Sequence, residues 1–464
     1  MSAEEVNALI GKKVLVWGMA RSGIHAAKLA SSAGAKVRIN DLKSAEQIGS
    51  ALDVLKTEDI EWRLGEAIDN VLEGMDMLVI SPGIPYDLPA VKKAKDMGIE
   101  VIGEIELAYR LGQGHVVGIT GTNGKTTTTS LLGAIFENAG KTTHVVGNIG
   151  IPYSGSAGSM KQDDYIVCEL SSFQLESTAD FRPEIAAVLN LTEDHLNRHK
   201  TMENYANIKM RVFEKHDKSN YAVLNYDDAY TRKMAEKINS TVIWFSRTNP
   251  VEKGAYVEKG LIVYVSENGE KTSVCAVEDV YIPGPHNLEN ALAATACAMC
   301  AGVPSPVIRH TLRTFRGVEH RIETVRVIDG VKYINDSKGT NPDSTIKAIQ
   351  TMKEHTVIIL GGSEKDSDFT EMCRILKDSF VKYAVLIGKT GERIGQTLDS
   401  VGFTDYEYAG YDFEKAIKIA RSHAETNGNV LLSPACASFD MFEDYEARGR
   451  EFKRIVNAIE ETNA

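Results

Sequence analysis

The feature that most constrains this chain is a glycine-rich segment between an apolar run and a threonine-rich run. Residues 116–129 read VVGITGTNGKTTTT. The β-branched residues up to Thr120 predict a buried strand, and Lys125 with the threonines after it predicts the start of a helix. The pattern G-x-x-x-x-G-K-[ST] is met from Gly118 to Thr126, which is typical of a phosphate-binding P-loop. We predict a nucleoside-triphosphate site here, the alternative being a glycine-rich turn with a surface lysine.

Acidic and imidazole side chains follow two further apolar runs of the same region. Glu169 comes directly after the strand predicted over 165–167, and Asp194 and His195 follow the strand predicted over 185–189. Because parallel strands place their carboxyl ends along one edge of a sheet, we expect these side chains beside the P-loop. We predict that Glu169 binds Mg²⁺ directly or through water, the alternative being a capping glutamate. Histidine is an unusual Mg²⁺ ligand, so a structural role for His195 stays open.

Composition limits the classes of partner. A length of 464 residues predicts about three domains. The formal charge of −12 argues against a nucleic acid or an anionic membrane as partner, because both attract a surplus of Lys and Arg. No apolar stretch is long enough to cross a membrane, and the acidic first residues do not fit a signal peptide. The six cysteines lack disulfide spacing, which suits a reducing cytoplasm. Cys297 and Cys300 form a CxxC in an alanine-rich helical run, where we expect small core-facing residues.

A strand–helix–strand unit is predicted at the start of the chain. It carries Gly18 and Gly23 in its first turn and Asp41 at the end of its second strand. Ala20 stands where the fingerprint of dinucleotide-binding proteins has its second glycine. We therefore favour a different nucleotide held by the same geometry over a nicotinamide or flavin dinucleotide, and Asp41 either contacts it or caps the turn. The residues after the strand predicted over 77–80 line the same cleft or form a simple turn; they are Ser81, Pro82 and Gly83.

Two polar groups in predicted helices of the middle region are ambiguous. Lys209 lies among apolar residues of the helix predicted over 202–214, where a lysine usually extends to solvent. Asn287 and Asn290 are three residues apart at the start of a helix, so their amides share one face. These amides either contact an adenine edge or cap the helix.

A third segment begins near residue 317. The stretch over 325–336 reads VRVIDGVKYIND, in which Asp329-Gly330 predicts a hairpin turn. Strands predicted over 357–360, 383–387 and 430–432 alternate with helices, which indicates a parallel sheet. We expect the loops of this segment to gather polar side chains along one edge: Lys338, Thr340, Lys365, Ser433 and Ser438.

The predicted fold class is therefore α/β with three domains. We predict a Rossmann-like N-terminal domain over 1–104, a central P-loop mononucleotide-binding domain over 105–316 and a Rossmann-like C-terminal domain over 317–464. The active site is expected in the clefts between them, and the last domain is expected to move when ligands bind.

Eight stretches together resemble the Mur ligase family. They are GMARSG, GTNGKTT, ELSSFQLE, LTEDHLNRH, GPHNLENALAA, EHRIE, NDSKGTNPDS and LLSPACASFD. They follow the family's order and extend over nearly the whole chain. The resemblance implies transfer of the ATP γ-phosphoryl group to a substrate carboxylate, followed by attack of an amine on the acyl phosphate through a tetrahedral intermediate. SSFQLE and SPACASFD are most similar to the branch that adds glutamate. This implies UDP-N-acetylmuramoyl-L-alanine and D-glutamate as substrates, in peptidoglycan synthesis, and a monomer in the cytoplasm.

The same resemblance implies roles for individual residues. Lys125, His195 and Lys209 would be catalytic. Two Mg²⁺ ions would be held with the help of Thr126, Glu169, His195 and a carbamylated Lys209. ATP would contact Gly121, Thr122, Asn123, Gly124, Lys125, Thr126, Thr127, Asn287, Asn290, Arg321, Asp336 and Lys338. Uridine, its pyrophosphate and the sugar would be bordered by Ala20, Arg21, Ser22, Asp41, Lys43 and Asn148. D-Glutamate would be bound by Thr340, Lys365 and Ser438, with Tyr445 where the family has phenylalanine.

Other functions remain possible on sequence grounds. A P-loop switch or motor ATPase would explain the first motif but leaves SSFQLE, SPACASFD and the N-terminal unit without a role. A dinucleotide-dependent oxidoreductase would rest on residues 14–41 alone. Within the family, a ligase for a different amino acid is the nearest competitor.

Overall fold

The N-terminal region contains one parallel sheet. In the computed structural model the described residues are 9–363 and 367–461, without the side chains of 50 and 51. The strands of the first sheet are β1 (Lys13–Trp17), β2 (Lys36–Asp41), β3 (Ile60–Leu64), β4 (Met77–Ile80) and β5 (Glu100–Gly103). The helices are α1 (Arg21–Ser32), α2 (Ala45–Ile48), α3 (Pro89–Asp96) and α4 (Glu104–Leu111). The strand order is β3-β2-β1-β4-β5, with all neighbours parallel. From β1 the chain adds β2 and β3 on one side and then β4 and β5 on the other. Ligands of α/β sheets bind at such a switch point, here between β1 and β4.

The central region contains a larger mixed sheet. Its strands are β6 (His115–Thr120), β7 (Thr143–Gly147), β8 (Tyr165–Glu169), β9 (Ile185–Val188), β10 (Tyr221–Asn225), β11 (Thr241–Ser246), β12 (Gly254–Glu258), β13 (Leu261–Val265) and β14 (Lys271–Ala276). The order is β14-β13-β12-β11-β10-β9-β6-β8-β7, and the P-loop strand β6 lies between β9 and β8. The pairs that β13 forms with β12 and β14 are antiparallel. The helices are α5 (Lys125–Asn138), α6 (Tyr153–Ser156), α7 (Ser172–Leu175), α8 (Leu196–His199), α9 (Met202–Met210), α10 (Ala229–Ala235), α11 (Pro285–Cys300) and α12 (Ser305–Thr314).

The C-terminal region contains a third sheet. Its strands are β15 (Glu323–Ile328), β16 (Val331–Asn335), β17 (Thr356–Gly361), β18 (Val381–Ile387), β19 (Tyr406–Gly410) and β20 (Asn429–Leu432). The order is β15-β16-β20-β17-β18-β19, and the only antiparallel pair among these strands is the predicted hairpin of β15 and β16. The helices are α13 (Pro342–Thr351), α14 (Thr370–Lys377), α15 (Gly391–Val401), α16 (Phe413–Ser422) and α17 (Tyr445–Asn457).

The chain forms two compact units. The first unit is Met1–Tyr281 with Asn287–Phe315, and the second is Ile282–His286 with Arg316–Ala464. In the first unit, Leu29 of α1, Ile105 of α4 and Tyr153 of α6 belong to one apolar core. The N-terminal and central sheets are therefore joined by continuous packing. The second unit has cores on both faces of its own sheet.

Some boundaries differ from the prediction. β5 begins only at Glu100, because Gly98 with a φ of 78° belongs to the preceding turn. The helix expected over 202–214 ends at Met210, and a 3₁₀ turn follows at Arg211–Phe213. Cys297 lies fully buried in α11, as expected for a core-facing residue, whereas Cys300 is partly exposed; all six thiols are free. Among the described helices, none has the length and apolar character that a membrane crossing needs.

Candidate functional site

The predicted P-loop connects β6 to α5. Gly124 is the N-cap of α5 with a φ of 86°, and Gly121 has a φ of 143°. A Cβ at Gly124 would meet Asn290 Oδ1 at 2.2 Å, and one at Gly121 would meet the backbone nitrogen of Leu189 at 3.1 Å. Both positions therefore need glycine for conformation and for space. The loop ends at the N-terminus of a 14-residue helix. The helix dipole and the backbone N–H groups there favour binding of an anion.

Polar contacts fix the shape of this loop. Lys125 Nζ donates to the carbonyl oxygens of Gly121 at 3.0 Å and Thr122 at 2.7 Å. The backbone nitrogen of Asn123 donates to Asn190 Oδ1 at 2.9 Å, and Asn190 Nδ2 donates back to the Asn123 carbonyl at 3.0 Å. Asn190 was not predicted, although it follows β9 and directly precedes the motif that contains His195. Thr126 and Thr127, in the first turn of α5, are buried.

Glu169 lies where the strand pattern predicted it. It ends β8 and pairs in register with Ile119 of β6, one strand away from the P-loop. Only 1% of Glu169 is exposed, and its Oε1 accepts a hydrogen bond from Asn148 Nδ2 at 2.9 Å. This hydrogen bond orients one carboxylate oxygen of Glu169, which was predicted to bind Mg²⁺. It also connects Glu169 to Asn148, for which the family resemblance implies a place near the sugar.

Lys209 does not extend to solvent. It is 1% exposed, and its Nζ donates to the Gly121 carbonyl at 2.8 Å and to Thr120 Oγ1 at 3.3 Å. Burial and the neighbouring charge of Lys125 lower the pKa of Lys209 well below its usual value, while Asp194 and Glu169 act in the opposite direction. The amine therefore lies directly under the P-loop in surroundings that favour its neutral form.

His195 immediately precedes the short helix α8. It adopts a left-handed conformation with a φ of 54° at the N-cap, and its Nε2 lies 3.5 Å from Asp194 Oδ2. Its ring packs against Phe173, with centroids 4.8 Å apart. Within residues 9–363 and 367–461, no three His, Cys, Asp or Glu side chains form a ready metal cluster. Any cation here would need phosphate, hydroxyl or water ligands as well.

A cavity of about 480 Å³ lies at the carboxyl ends of β1 and β4. Gly18 and Gly23 allow α1 to begin close to β1, because a Cβ at Gly23 would meet the Gly18 carbonyl oxygen at 1.8 Å. The N-terminus of α1, with Ala20 as N-cap, opens onto this space. The lining residues are Gly18, Ala20, Arg21, Ser22, Asp41, Ser81, Pro82, Gly83, Ile84, Gly147, Asn148, Gly150, Pro152 and Gln174.

The alternatives for the cavity residues turn out to be compatible. Asp41 lines the cavity and also caps the turn after β2, because its Oδ1 accepts from the backbone nitrogen of Lys43 at 2.9 Å. Its Oδ2 accepts from the backbone nitrogen of Met19 at 2.7 Å, in the turn before α1. Ser81 both lines the cavity and stabilises a turn, donating through Oγ to the Gly18 carbonyl at 2.6 Å. Lys43 is exposed and is not among the lining residues.

Arg198 joins the cavity wall to the region of His195. Its guanidinium donates to the carbonyl oxygens of Pro82 at 3.3 Å and Ile84 at 3.2 Å. It also pairs with Glu176 and lies over the ring of Phe173. The neighbouring His199 Nε2 lies 2.9 Å from Ser172 Oγ, and burial lowers the pKa of His199 to about 4. Sequence analysis did not single out these residues.

The two asparagines at the start of α11 contact each other as the spacing predicted. Asn290 Nδ2 donates to Asn287 Oδ1 at 3.2 Å. Asn290 Oδ1 also accepts from Thr128 Oγ1 at 3.3 Å. The hydrogen bond from Thr128 therefore connects Asn290 to α5, and it does not involve Asn287.

The second unit gathers the predicted loops at the carboxyl edge of its sheet. Asp336 is buried after β16, and its Oδ2 accepts from Ser433 Oγ at 2.7 Å. Burial raises the pKa of Asp336 to about 6, although Arg321 and Ser433 lower it. Lys338 Nζ lies 5.3 Å from the centroid of the Tyr445 ring. Thr340 follows in the same loop, whereas Lys365 lies outside the described residues.

Arg448 organises these loops from within. It is 1% exposed and donates to Ser337 Oγ at 2.9 Å, to the Ser337 carbonyl at 2.8 Å and to the Cys436 carbonyl at 3.2 Å. Burial lowers the pKa of Arg448 to about 10, which leaves it charged at neutral pH. Ser438, two residues after Cys436, is buried, and in the part of the chain that is described its Oγ has no hydrogen-bond partner. Arg448 was not predicted because nothing local in the sequence marks it.

Family models match all three regions. A Mur ligase MurD-like N-terminal domain matches residues 12–103, a Mur ligase middle domain 119–298 and a Mur ligase glutamate ligase domain 320–436. The chain is 48% identical over 447 residues to UDP-N-acetylmuramoylalanine–D-glutamate ligase of Alkaliphilus oremlandii, with 96% of this chain and 98% of that protein covered. The chain belongs to the Mur ligase family.

Solved structures of Mur ligases share the fold. A pseudomurein peptide ligase type C from Methanothermus fervidus matches with a TM-score of 0.61 and 20% identity, over 97% of this chain and 100% of that one. A MurF ligase from Thermotoga maritima, solved in complex with ADP, matches with a TM-score of 0.58 and 16% identity, over 97% and 96%. The α/β fold of three sheets is thus a Mur ligase fold, as the motifs predicted.

Proposed function

We propose that this chain is an ATP-dependent amide ligase that adds D-glutamate to the L-alanine carboxylate of UDP-N-acetylmuramoyl-L-alanine, in peptidoglycan synthesis. The observation that carries the proposal is the 48% identity, over 96% of this chain, to a relative named for that reaction. The P-loop, the cavity at the N-terminus of α1 and the polar edge of the third sheet support it, because the reaction needs ATP, a nucleotide sugar and an amino acid.

The chemistry explains why a ligase needs this arrangement. A carboxylate is a poor electrophile, so phosphorylation supplies a leaving group before the amine attacks. Both the acyl phosphate and the tetrahedral intermediate gather negative charge, which positioned donors stabilise. Lys125 and the backbone nitrogens of the P-loop are the donors that we assign to the phosphates. Asn287 is assigned to the adenine, and Asn290 keeps the loop and α5 in position.

The P-loop residues fit ATP and Mg²⁺. The left-handed Gly124 and the helix that begins at Lys125 provide the anion cradle. Mg²⁺ usually takes one or two protein oxygens in addition to phosphate and water, which Thr126 and Glu169 can supply. His195 is assigned to a second ion. When bound, Mg²⁺ neutralises charge that develops on the transferred phosphoryl group.

Lys209 fits the proposed carbamylation. Its burial and the charge of Lys125 favour a neutral amine, and only the neutral amine can form a bond to the carbon of CO₂. That reaction releases one proton and turns the side chain into a carbamate. A carbamate at Nζ would place an anion under Gly121, in reach of a cation held by the P-loop. The positive charge of Lys125 would stabilise it.

Substrate positions are assigned to the cavity at the N-terminus of α1 and to the carboxyl edge of the third sheet. We assign the cavity at the N-terminus of α1 to the uridine diphosphate, since a helix N-terminus favours a pyrophosphate. Asn148 is assigned to the sugar region. In the second unit, Arg321, Asp336 and Lys338 are assigned to ATP. Thr340, Lys365 and Ser438 are assigned to the carboxylates of D-glutamate, beside Tyr445.

The remaining assignments concern the whole chain. We propose domain boundaries near residues 104 and 316 and a monomer that works in the cytoplasm. The six free thiols support a reducing compartment. Light scattering of the purified protein measures its molar mass and therefore tests whether it is a monomer.

The decisive experiment is phosphate release with UDP-N-acetylmuramoyl-L-alanine, ATP, Mg²⁺ and a panel of D- and L-amino acids. We expect phosphate release and a new amide product only when the amino acid added is D-glutamate. Lys125→Ala should lower kcat by about two to three orders of magnitude, because it removes a charged donor from the transferred phosphate. The matched control is Lys92→Ala, an exposed lysine of α3. Equal ATP hydrolysis without the nucleotide sugar, or product formation by Lys125→Ala at the normal rate, overturns the proposal.

A further inference from the structure

A second cavity lies along α1, next to the candidate nucleotide cavity. Its volume is about 550 Å³, and α1, residue Val54 and the segment 154–159 line it. Arg21 is the residue that the two cavities share. The remaining lining residues take no part in the proposed ligase reaction, so the second cavity requires a separate explanation.

The polar part of this cavity is positively charged. Arg21, His25 and Lys28 are spaced by four and three residues, which places them along one face of α1. None of the described lining residues is acidic, although the chain has a formal charge of −12. Burial, with Arg21 and Lys28, lowers the pKa of His25, which reflects the positive potential of the cavity.

The opposite part of the cavity is apolar and open. Ile24, Leu29 and Val54 supply aliphatic surface. The facing wall, SGSAGS over 154–159, consists of small residues. A Cβ placed at Gly158 would meet only Leu29 Cδ1, at 3.6 Å, so the space there exists because position 158 has no side chain. The volume is in the range of pockets that hold small organic molecules.

We propose that this cavity binds a small amphipathic organic anion. Its carboxylate, phosphate or sulfonate lies beside Arg21 and Lys28, and its apolar body lies against Leu29 and Val54. Charge complementarity selects an anion, since the cavity offers two permanent cations and no carboxylate. A bare inorganic anion would leave the aliphatic wall in contact with water, so an apolar body adds to the affinity.

Arg21 connects this cavity to the candidate nucleotide cavity. Its guanidinium donates to the Gly150 carbonyl oxygen at 2.6 Å, and Gly150 lines the nucleotide cavity. A ligand that draws Arg21 toward Lys28 competes with that contact. Binding in the second cavity therefore weakens binding of the nucleotide sugar. This coupling rests on the proposed function, whereas ligand binding itself does not.

The test of binding uses anilinonaphthalene sulfonate, a fluorescent anion with an apolar body, titrated into the full chain. We expect saturable binding, and an affinity about tenfold lower for its uncharged analogue phenylnaphthylamine. Lys28→Gln and Gly158→Phe should each weaken the probe about fivefold to tenfold. Lys36→Gln, an exposed lysine of the same domain, and Gly158→Ala are the matched controls and should bind normally. Equal affinity for both probes, or for wild type and both test variants, overturns the site.

The test of coupling measures KM for the nucleotide sugar in the ligase assay with and without saturating probe. We expect KM to rise in the wild type and to stay constant in Gly158→Phe, whose circular dichroism spectrum and KM for ATP should match the wild type. An unchanged KM with bound probe overturns the coupling. An inactive enzyme that still binds the probe at this cavity overturns the proposed function and leaves the second site supported.

Discussion

At the scale of single residues, the least expected side chain is Lys209. Full burial of a lysine beside a second lysine is unfavourable unless the amine loses its charge or gains a negative group. Two hydrogen bonds, to Thr120 and Gly121, hold Nζ in place but supply no formal charge. The proposed carbamylation would resolve this conflict, because it would replace the buried cation by an anion next to Lys125.

We predict that Lys209 is carbamylated in the active enzyme. Protein equilibrated with ¹³C-labelled CO₂ should show one carbamate carbon signal, and activity should fall when CO₂ is removed from the buffer. Lys209→Ala should lose activity and the signal, and short carboxylates should restore part of the activity. The control Lys92→Ala should keep the signal. An unmodified Lys209 in a fully active enzyme would falsify this assignment.

Asp336 predicts a pH dependence of stability in the second unit. Its pKa is raised from 3.8 to about 6 in the folded state, so the folded chain binds a proton that the unfolded chain has released. The stabilising contribution is fully present below the unfolded pKa and is lost as pH rises through about 6. Relative to Asp336→Asn, the wild type should therefore lose about 1 kcal/mol of unfolding free energy between about pH 5 and about pH 7.

Urea unfolding of both proteins at each pH measures this difference, in which contributions of other titrating groups cancel. The control Asp412→Asn changes an exposed carboxylate that caps α16 by accepting from the backbone nitrogen of Lys415. It should shift stability by the same amount at both pH values. A difference between wild type and Asp336→Asn that does not vary with pH would contradict the proposed burial of a protonatable carboxyl.

At the scale of elements, the four-residue helix α8 connects two functional regions. His195 immediately precedes it, and Arg198 near its end reaches the carbonyl oxygens of Pro82 and Ile84. The β4 turn that borders the nucleotide cavity is thus held by a residue of the central sheet. Since residues 81–88 contain no Lys or Arg of their own, we expect the position of the turn to depend on α8.

We predict that Arg198→Ala raises KM for the nucleotide sugar about tenfold, because charge-assisted hydrogen bonds to the cavity wall are lost. KM for ATP should change little, since the P-loop makes no contact with Arg198 among those described. Steady-state kinetics with each substrate varied in turn separates the two effects. Arg198→Lys should recover part of the affinity, and Arg313→Ala, an exposed arginine of α12, is the control. Equal changes in both KM values would indicate general destabilisation instead.

The elements also show what sequence could and could not predict. The P-loop, Glu169 and the β15–β16 hairpin were predictable, since each depends on a local pattern of apolar, glycine and acidic residues. β3, β12, β14 and β19 were not predicted. Three of them, β3, β14 and β19, are edge strands with exposed positions, whereas β12 is a short interior strand that begins at a glycine.

The missed site residues share a different cause. Asn190 contacts a residue 67 positions away, Arg198 one 116 positions away and Arg448 one 111 positions away. No pattern within a single element reports such contacts. Lys209 was the intermediate case: its apolar neighbours suggested solvent exposure, and only the resemblance to the family pointed to a role beneath the P-loop.

At the scale of the whole molecule, the division into two compact units matters for the reaction. The proposed nucleotide sugar and P-loop residues belong to the first unit, and the residues assigned to D-glutamate belong to the second. The amine and the acyl phosphate must come within bonding distance for the amide to form. We therefore expect a ligand-dependent change in the arrangement of the units.

Small-angle scattering tests this expectation in solution. Saturating UDP-N-acetylmuramoyl-L-alanine with a non-hydrolysable ATP analogue and Mg²⁺ should reduce the radius of gyration relative to the free chain. The nucleotide sugar alone should have a smaller effect, since it contacts residues of the first unit alone in our assignment. Lys125→Ala, which should bind the analogue weakly, is the control and should keep the scattering curve of the free chain. Identical curves for wild type with and without all ligands would show that the units are already arranged for catalysis, and the closure step would then be excluded.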